Sequence, residues 1–236
     1  MITSKVIRYL QPFFEIIENS KGKTIGQIKD ELHIERSKMV KGASGLIVEN
    51  LLNVKNNNRD EADIPEIGCE IKILPLQKNR DGSIKAKEPT AIQMINYMEV
   101  AKETWESAKL RGKITLTFWI VYLAKRNGQT LNQNDYVILD YFLDHPTELQ
   151  NSIFKKNWED IQDYIIKGNA DKLSCSMGVY IEPKTKGSSN QDKTNAPDGK
   201  GGVVKVRRRA FYYKKNYTNS AIIPNLDLSV LNDLFC

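Results

Sequence analysis

Apolar residues recur at helical spacing from the start of the chain. Val6, Leu10, Phe13, Phe14 and Ile17 share one side of a 3.6-residue period, which predicts an amphipathic helix over 4–19. Ser20–Lys23 reads as a turn, and Thr24 as the cap of a short helix through His33, with Ile25, Ile28 and Leu32 on one face. A third helix is expected from Ala43 to Leu52, ended by the Asn-rich turn Asn56–Asn58. From Cys69 to Leu76 the period drops to two, the signature of a strand. Asp81-Gly82 then marks a hairpin turn within 79–82. A second strand is expected at Thr90–Tyr97 and a helix at Glu99–Lys109. Ile114–Leu123 sets Thr115 and Thr117 against Leu116 and Phe118 before turning continuously apolar, and it is the clearest central strand. Tyr136–Leu143 reads as strand, Glu148–Lys167 as helix, Gly178–Pro183 as a short strand and Val203–Tyr217 as a long one, with a short helix closing the chain. Lys184–Gly202, rich in Lys, Ser, Asn, Asp and Gly, predicts a mobile loop. The class is mixed α/β without internal repeats, and the pattern alone leaves the topology open.

Composition narrows the chemistry. The chain has 236 residues, 40% of them hydrophobic, enough for one large domain or two closely joined lobes. A net charge of +6 and a pI near 9.0 suit a polyanionic partner, and equally an ordinary basic protein. Cys69, Cys175 and Cys236 are odd in number and lack a Cys-x-x-Cys spacing, which argues against a disulfide framework and a structural zinc site. His33 and His145 are the only histidines and lie far apart. Their scarcity counts against a histidine-based triad, a zinc hydrolase and a histidine general base. No apolar run is long enough to span a bilayer, and Arg8, Gln11 and Glu15 interrupt the N-terminal stretch, so neither a membrane segment nor a secretory signal is expected. A cytoplasmic protein is the resulting expectation.

Carboxylate and lysine chemistry remains, and it concentrates in Asp63-Ile64-Pro65-Glu66-Ile67-Gly68-Cys69-Glu70-Ile71-Lys72. In a strand, Glu70 and Lys72 project to the same face while Ile71 and Ile73 turn to a core. Asp63, delivered by the turn around Pro65 and Gly68, can meet them. Two carboxylates beside an ammonium suit metal-dependent phosphodiester cleavage. Carboxylate oxygens hold Mg²⁺, and a lysine orients the attacking water or offsets charge building on phosphorus. Taken alone, Glu-x-Lys arises by chance about once in a chain of this length, as a solvated ion pair on an edge strand.

Other segments raise the weight of that motif. Lys41-Gly42-Ala43-Ser44-Gly45-Leu46-Ile47-Val48-Glu49 precedes it, and Thr104-Trp105-Glu106-Ser107-Ala108-Lys109-Leu110-Arg111-Gly112-Lys113 follows. Asn157-Trp158-Glu159-Asp160 and Arg209-Ala210-Phe211-Tyr212-Tyr213-Lys214-Lys215-Asn216-Tyr217-Thr218 come later. In this order and spacing the set resembles the MutH family of DNA endonucleases, which comprises mismatch-repair nickases and related GATC-cutting type II restriction enzymes. The resemblance runs from about Lys41 to Ile223. It implies a restriction-endonuclease-like fold: a mixed sheet flanked by helices, in two lobes around a DNA cleft. The chain then divides into a helical N-terminal part (1–40), a catalytic lobe (41–125) and a DNA-reading lobe (126–236) containing the loop 184–202, all within a single endonuclease domain.

The resemblance also distributes roles. Asp63 and Glu70 are the expected Mg²⁺ ligands, with the Ile71 carbonyl as a third, and Lys72 is the general base or charge stabiliser. Glu49 matches a further acidic position on a helix near the site, and Lys113 a lysine approaching from the next strand. Lys184, Lys186, Arg207, Arg209, Tyr212 and Lys214 are the expected DNA contacts, cations for phosphates and a tyrosine for a base edge. Glu182 departs from the repair branch, which carries an arginine at that position; a glutamate there accepts a hydrogen bond from cytosine or faces solvent. Double-stranded DNA is the implied partner, and a cognate methyltransferase belongs to the same system. A small monomer breaks both strands by pairing on DNA or by acting twice. Three readings stay open: a type II restriction enzyme cutting GATC or a near relative, a repair nickase acting on hemimethylated GATC, and a non-catalytic DNA-binding effector domain.

Overall fold

The structure, a computed structural model, describes residues 2–34, 43–54, 61–187, 189 and 191–233. Lys41, Gly42, the Asn56–Asn58 turn and Cys236 lie outside the described residues. In chain order the elements are α1 (Ser4–Glu18), α2 (Ile25–Glu31), α3 (Ala43–Leu51), β1 (Glu70–Lys78), β2 (Ile84–Ala86), β3 (Thr90–Met94), α4 (Tyr97–Val100), α5 (Lys109–Thr115), β4 (Thr117–Arg126), β5 (Gln129–Thr130), β6 (Val137–Asp144), α6 (Glu148–Ile166), β7 (Ile181–Thr185), β8 (Lys193–Pro197), β9 (Val203–Arg207), β10 (Arg209–Tyr213), α7 (Lys215–Tyr217) and α8 (Val230–Asp233). The class is mixed α/β, and the chain forms two compact units, each discontinuous in sequence.

The first unit takes Met1–Glu88, Leu116–His145 and Asn219–Cys236. Its mixed sheet runs β2-β1-β4-β5, with β6 also on β4. β1 and β4 are parallel, and the remaining pairs are antiparallel. Helices cover one sheet face because their apolar stripes match it: Leu10, Ile17, Ile25, Ile28, Ile47 and Val48 share a core with Ile71, Phe118 and Ile120. Thr24 starts α2 with a full capping box, its hydroxyl accepting the Gln27 N–H while the Gln27 side chain accepts the Thr24 N–H. β4 is buried without interruption from Thr117 to Ala124, as its continuous apolar run requires.

The second unit takes Pro89–Thr115 and Pro146–Thr218. It holds a three-stranded antiparallel sheet, β3-β10-β7, and a separate ribbon of β8 and β9. Its long helix α6 opens on a Thr147/Gln150 capping box and buries Phe154, Trp158, Ile161 and Ile165. The Phe154 ring lies 4.8 Å from Tyr217 and 6.0 Å from Tyr213, and Trp158 lies 5.8 Å from Trp105.

Four sequence expectations change. The Glu99–Lys109 helix is absent: α4 ends at Val100 and α5 begins at Lys109. Thr104 and Ser107 bond each other's backbone N–H groups, and Gln162 donates to the carbonyls of Val100 and Glu103, so the helical ladder has competitors for its own groups. The central strand starts at Thr117, and Ile114 belongs to the helix before it. Residues 184–202, expected as a mobile loop, contain the end of β7 and all of β8. Val203–Tyr217 is two strands in two sheets, separated at Arg208, followed by the short helix α7.

Candidate active site

The turn before β1 delivers Asp63. Ile64 and Cys69 exchange backbone hydrogen bonds at 2.9 and 3.1 Å, closing a tight loop around Pro65 and Gly68, whose φ of +62° favours glycine. Asp63 Oδ2 then accepts the Ile71 N–H at 2.8 Å. The Glu70 N–H donates to the Leu116 carbonyl at 3.0 Å, so Glu70 turns its backbone toward β4 and Ile71 turns its backbone to the opposite edge. The Ile71 carbonyl therefore lies on the edge where Asp63 sits. The buried Cys69 thiol, pushed up to about 12 by burial, has no nucleophilic role here.

Glu70 and Lys72 share the opposite face from Ile71, as strand alternation requires. Lys72 Nζ donates to Glu70 Oε2 at 2.9 Å, and Glu70 is only 1% exposed. Glu49 on α3 joins them electrostatically. Burial raises its carboxyl above the usual range, the Asp63 charge raises it further, and Lys72 opposes both. Its Oε2 is buried without a hydrogen-bond partner among the described residues. A cavity of about 270 Å³ opens beside Asp63, lined also by Tyr9, Phe13, Asn53 and Glu66.

Some neighbours were not readable from the sequence. Register places Thr117 beside Glu70 and Trp119 beside Lys72, and the Trp119 indole donates to Asp144 Oδ2 at 3.4 Å. Only the parallel pairing of β1 with β4 brings them there. Tyr9 and Phe13, parts of a helical stripe, reach the cavity beside Asp63.

The remaining predicted residues lie in the second unit. Lys113 stands in the last turn of α5, on a helix rather than the expected strand. Lys184 and Lys186 hold their ammonium groups 5.4 and 5.7 Å from the Tyr212 ring centre. Glu182 faces Tyr212 in register and is buried, which raises its carboxyl while Lys214 and Lys184 oppose the rise. Arg207 is half-buried on β9.

Arg209 and Lys214 have intramolecular partners. The buried Arg209 guanidinium donates to the carbonyls of Ala170 and Asp171, both at 2.9 Å. Lys214 Nζ donates to the carbonyls of Cys175, Met177 and Gly178 at 3.0–3.2 Å. Arg209→Ala should therefore cost about 3 kcal/mol of stability, because two charge-assisted hydrogen bonds are lost, and leave the salt dependence of DNA binding unchanged. Urea unfolding and a salt titration check both halves; a flattened salt slope in a variant of parental stability would make Arg209 a phosphate contact instead.

The family model described as DNA mismatch repair enzyme MutH matches residues 52–157. The chain is 25% identical over 225 residues to the DNA mismatch repair protein MutH of Haemophilus influenzae strain PittGG, covering 94% of this chain and 98% of that protein. It is 28% identical over 212 residues to the type II restriction enzyme Sau3AI of Staphylococcus aureus, covering 88% of this chain but only 42% of that enzyme. The MutH of Serratia proteamaculans strain 568 is 25% identical over 215 residues.

The chain is similar to the MutH family, over residues 52–157 by the family model and over most of its length by these relatives.

MutH-family nucleases are generally metal-dependent, and the donor chemistry here fits a divalent cation. Asp63 and Glu70 offer hard oxygens, the Ile71 carbonyl shares Asp63's edge, and Glu49 Oε2 is a buried acceptor lacking a donor among the described residues. Among the described residues no three His, Cys, Asp or Glu side chains form a ready metal cluster. The carboxylates instead face protein donors, Glu70 toward Lys72 and Asp63 toward the Ile71 N–H. The candidate donor set is thus the Asp63 and Glu70 carboxylates and the Ile71 carbonyl, with Glu49 coupled electrostatically to Asp63 and Lys72.

Proposed function

We propose that the chain is a Mg²⁺-dependent type II restriction endonuclease that cuts double-stranded DNA at GATC or a near relative. The observation that carries this reading is the convergence of Asp63 with the Glu70–Lys72 pair at one end of β1, backed by Glu49. Bound by Asp63 and Glu70, Mg²⁺ would polarise the scissile phosphate and stabilise the leaving 3′ oxygen. Lys72, held in place by Glu70, positions the attacking water in line and offsets the charge gathering on phosphorus. Glu49 extends the acidic set and holds a water near Asp63. The first unit supplies cleavage. Lys113, Lys184, Lys186, Arg207 and Tyr212 belong to the second unit, to which we assign DNA binding. One such site per chain breaks both strands by pairing on DNA or acting twice, and a cognate methyltransferase would protect the host.

Glu182, beside Tyr212 and Lys184 where the repair branch carries an arginine, favours the restriction reading. A MutH-like nickase is the second reading, supported by 25% identity over 225 residues to a MutH protein. The intact Asp63, Glu70 and Lys72 weigh against a non-catalytic effector domain. Digestion of plasmid, unmethylated or methylated at GATC, by purified protein with Mg²⁺ alone separates the readings. Linear fragments support the restriction enzyme. Nicked circles alone, or no product until a repair partner is added, support the nickase.

A further inference from the structure

The ribbon of β8 and β9 sorts its side chains by charge. Its register pairs Lys193 with Arg207, Asn195 with Lys205, and Pro197 with Val203. Paired residues share a face, and strand alternation puts all six on the same one. That face carries Lys193, Lys205 and Arg207 and no acidic residue. Lys193, Asn195 and Lys205 are exposed, and Val203 is 56% exposed. The other face carries Ala196 and Val206, both buried, with Thr194 and Val204.

The ribbon is also fixed in place. Asp198 Oδ1 accepts the N–H groups of Lys200 and Gly202, both at 2.8 Å, shaping the tip. These bonds hold the Asp198 carboxyl below its usual range. Gly199 and Gly168 let the tip backbone meet the C-terminal end of α6, where a Cβ on Gly168 would collide with the Asp198 carbonyl and one on Gly199 with the Lys167 carbonyl. The nearby acid Asp192 already pairs with Arg208 at 2.7 Å. No ion pair or side-chain hydrogen bond occupies the ammonium of Lys193 or Lys205 among the described residues.

We infer that this outward ribbon face is a second DNA-contacting surface, with Lys193 and Lys205 on phosphates of the duplex, and that it supplies affinity rather than sequence reading. An antiparallel ribbon is narrow enough to lie along a DNA groove. Lys193 and Lys205 are diagonal neighbours across the two strands, about 7–8 Å apart, a spacing that can follow successive backbone phosphates. Rigid attachment means the backbone that carries the cations is ordered before binding, which lowers the entropic cost of the complex. The inference rests on the DNA-binding reading above.

Its test is equilibrium binding of duplex DNA in Ca²⁺ across a salt series, comparing the parent with K193A/K205A. Both positions are exposed, so the variant is expected to keep the parental circular dichroism and melting temperature. The slope of log K against log[salt] should fall in magnitude by about 2, since each phosphate contact contributes roughly 0.9. Binding to cognate and unrelated duplexes should weaken by the same factor. An unchanged slope overturns the ribbon contact while leaving the endonuclease reading intact. A loss confined to the cognate duplex overturns the non-specific role, making the face a base reader. Absence of DNA binding by the parent overturns the endonuclease reading and the ribbon with it.

Discussion

Asp63→Ala should reduce cleavage at least about 10³-fold, the loss expected when a group that organises charge at the reacting phosphate is removed. Specific binding in Ca²⁺ should survive, because Asp63 is a carboxylate and contributes nothing attractive to a phosphate by itself. The side chain also accepts the Ile71 N–H, so its removal frees the β1 edge on which the Ile71 carbonyl stands. Lys72→Ala should lose about 10²–10³-fold for a different reason: the water loses its donor and the phosphorus its neighbouring charge. It also removes the ammonium 2.9 Å from the buried Glu70 carboxylate, at a cost of about 3 kcal/mol. Single-turnover cleavage must therefore be read well below the variant's melting temperature. Near-parental cleavage by Asp63→Ala would remove it from the site.

Asn157→Ala should be the most damaging change in the second unit. Asn157 Oδ1 accepts three backbone N–H groups, those of Val179 and Tyr180 at 2.8 Å and Ile181 at 3.4 Å. That single oxygen sets the path of the chain into β7, which carries Glu182 and Lys184. Without it, the buried Ile181 N–H and the part-buried N–H groups of Val179 and Tyr180 lose their acceptor, at about 3 kcal/mol. Asn157→Asp keeps an acceptor and should recover part of the loss. Urea unfolding measures both; an alanine variant within about 0.5 kcal/mol of the parent would mean that solvent or another group replaces the oxygen.

What the sequence made legible follows period and local chemistry. The stripe of α1, the Thr24 cap and the i, i+2 placement of Glu70 and Lys72 all depend on residues close together in the chain. The delivery of Asp63 through Pro65 and Gly68 was readable for the same reason. Thr117 and Trp119 were not, because they reach Glu70 and Lys72 only through a parallel pairing between distant segments. Strand β8 was hidden because its inward face offers only Thr194 and Ala196, too little apolar signal to mark a strand, while β9 fell inside the strand expected at Val203–Tyr217. Arg209 and Lys214 show a further limit: a basic residue in a basic run gives no sign of whether it points to solvent or, as these do, to backbone carbonyls. The break at Ala101–Ala108 escaped notice because Gln162, which holds the Val100 and Glu103 carbonyls, lies far along the chain.

The most direct test of the account is to sequence the DNA ends made by the purified chain with Mg²⁺ as the sole added cofactor. The account predicts ends at one short sequence, GATC or a near relative, bearing 5′-phosphates and 3′-hydroxyls, and no product with EDTA or with Asp63→Ala. Ends scattered without sequence preference, or cleavage that persists in EDTA, would contradict it.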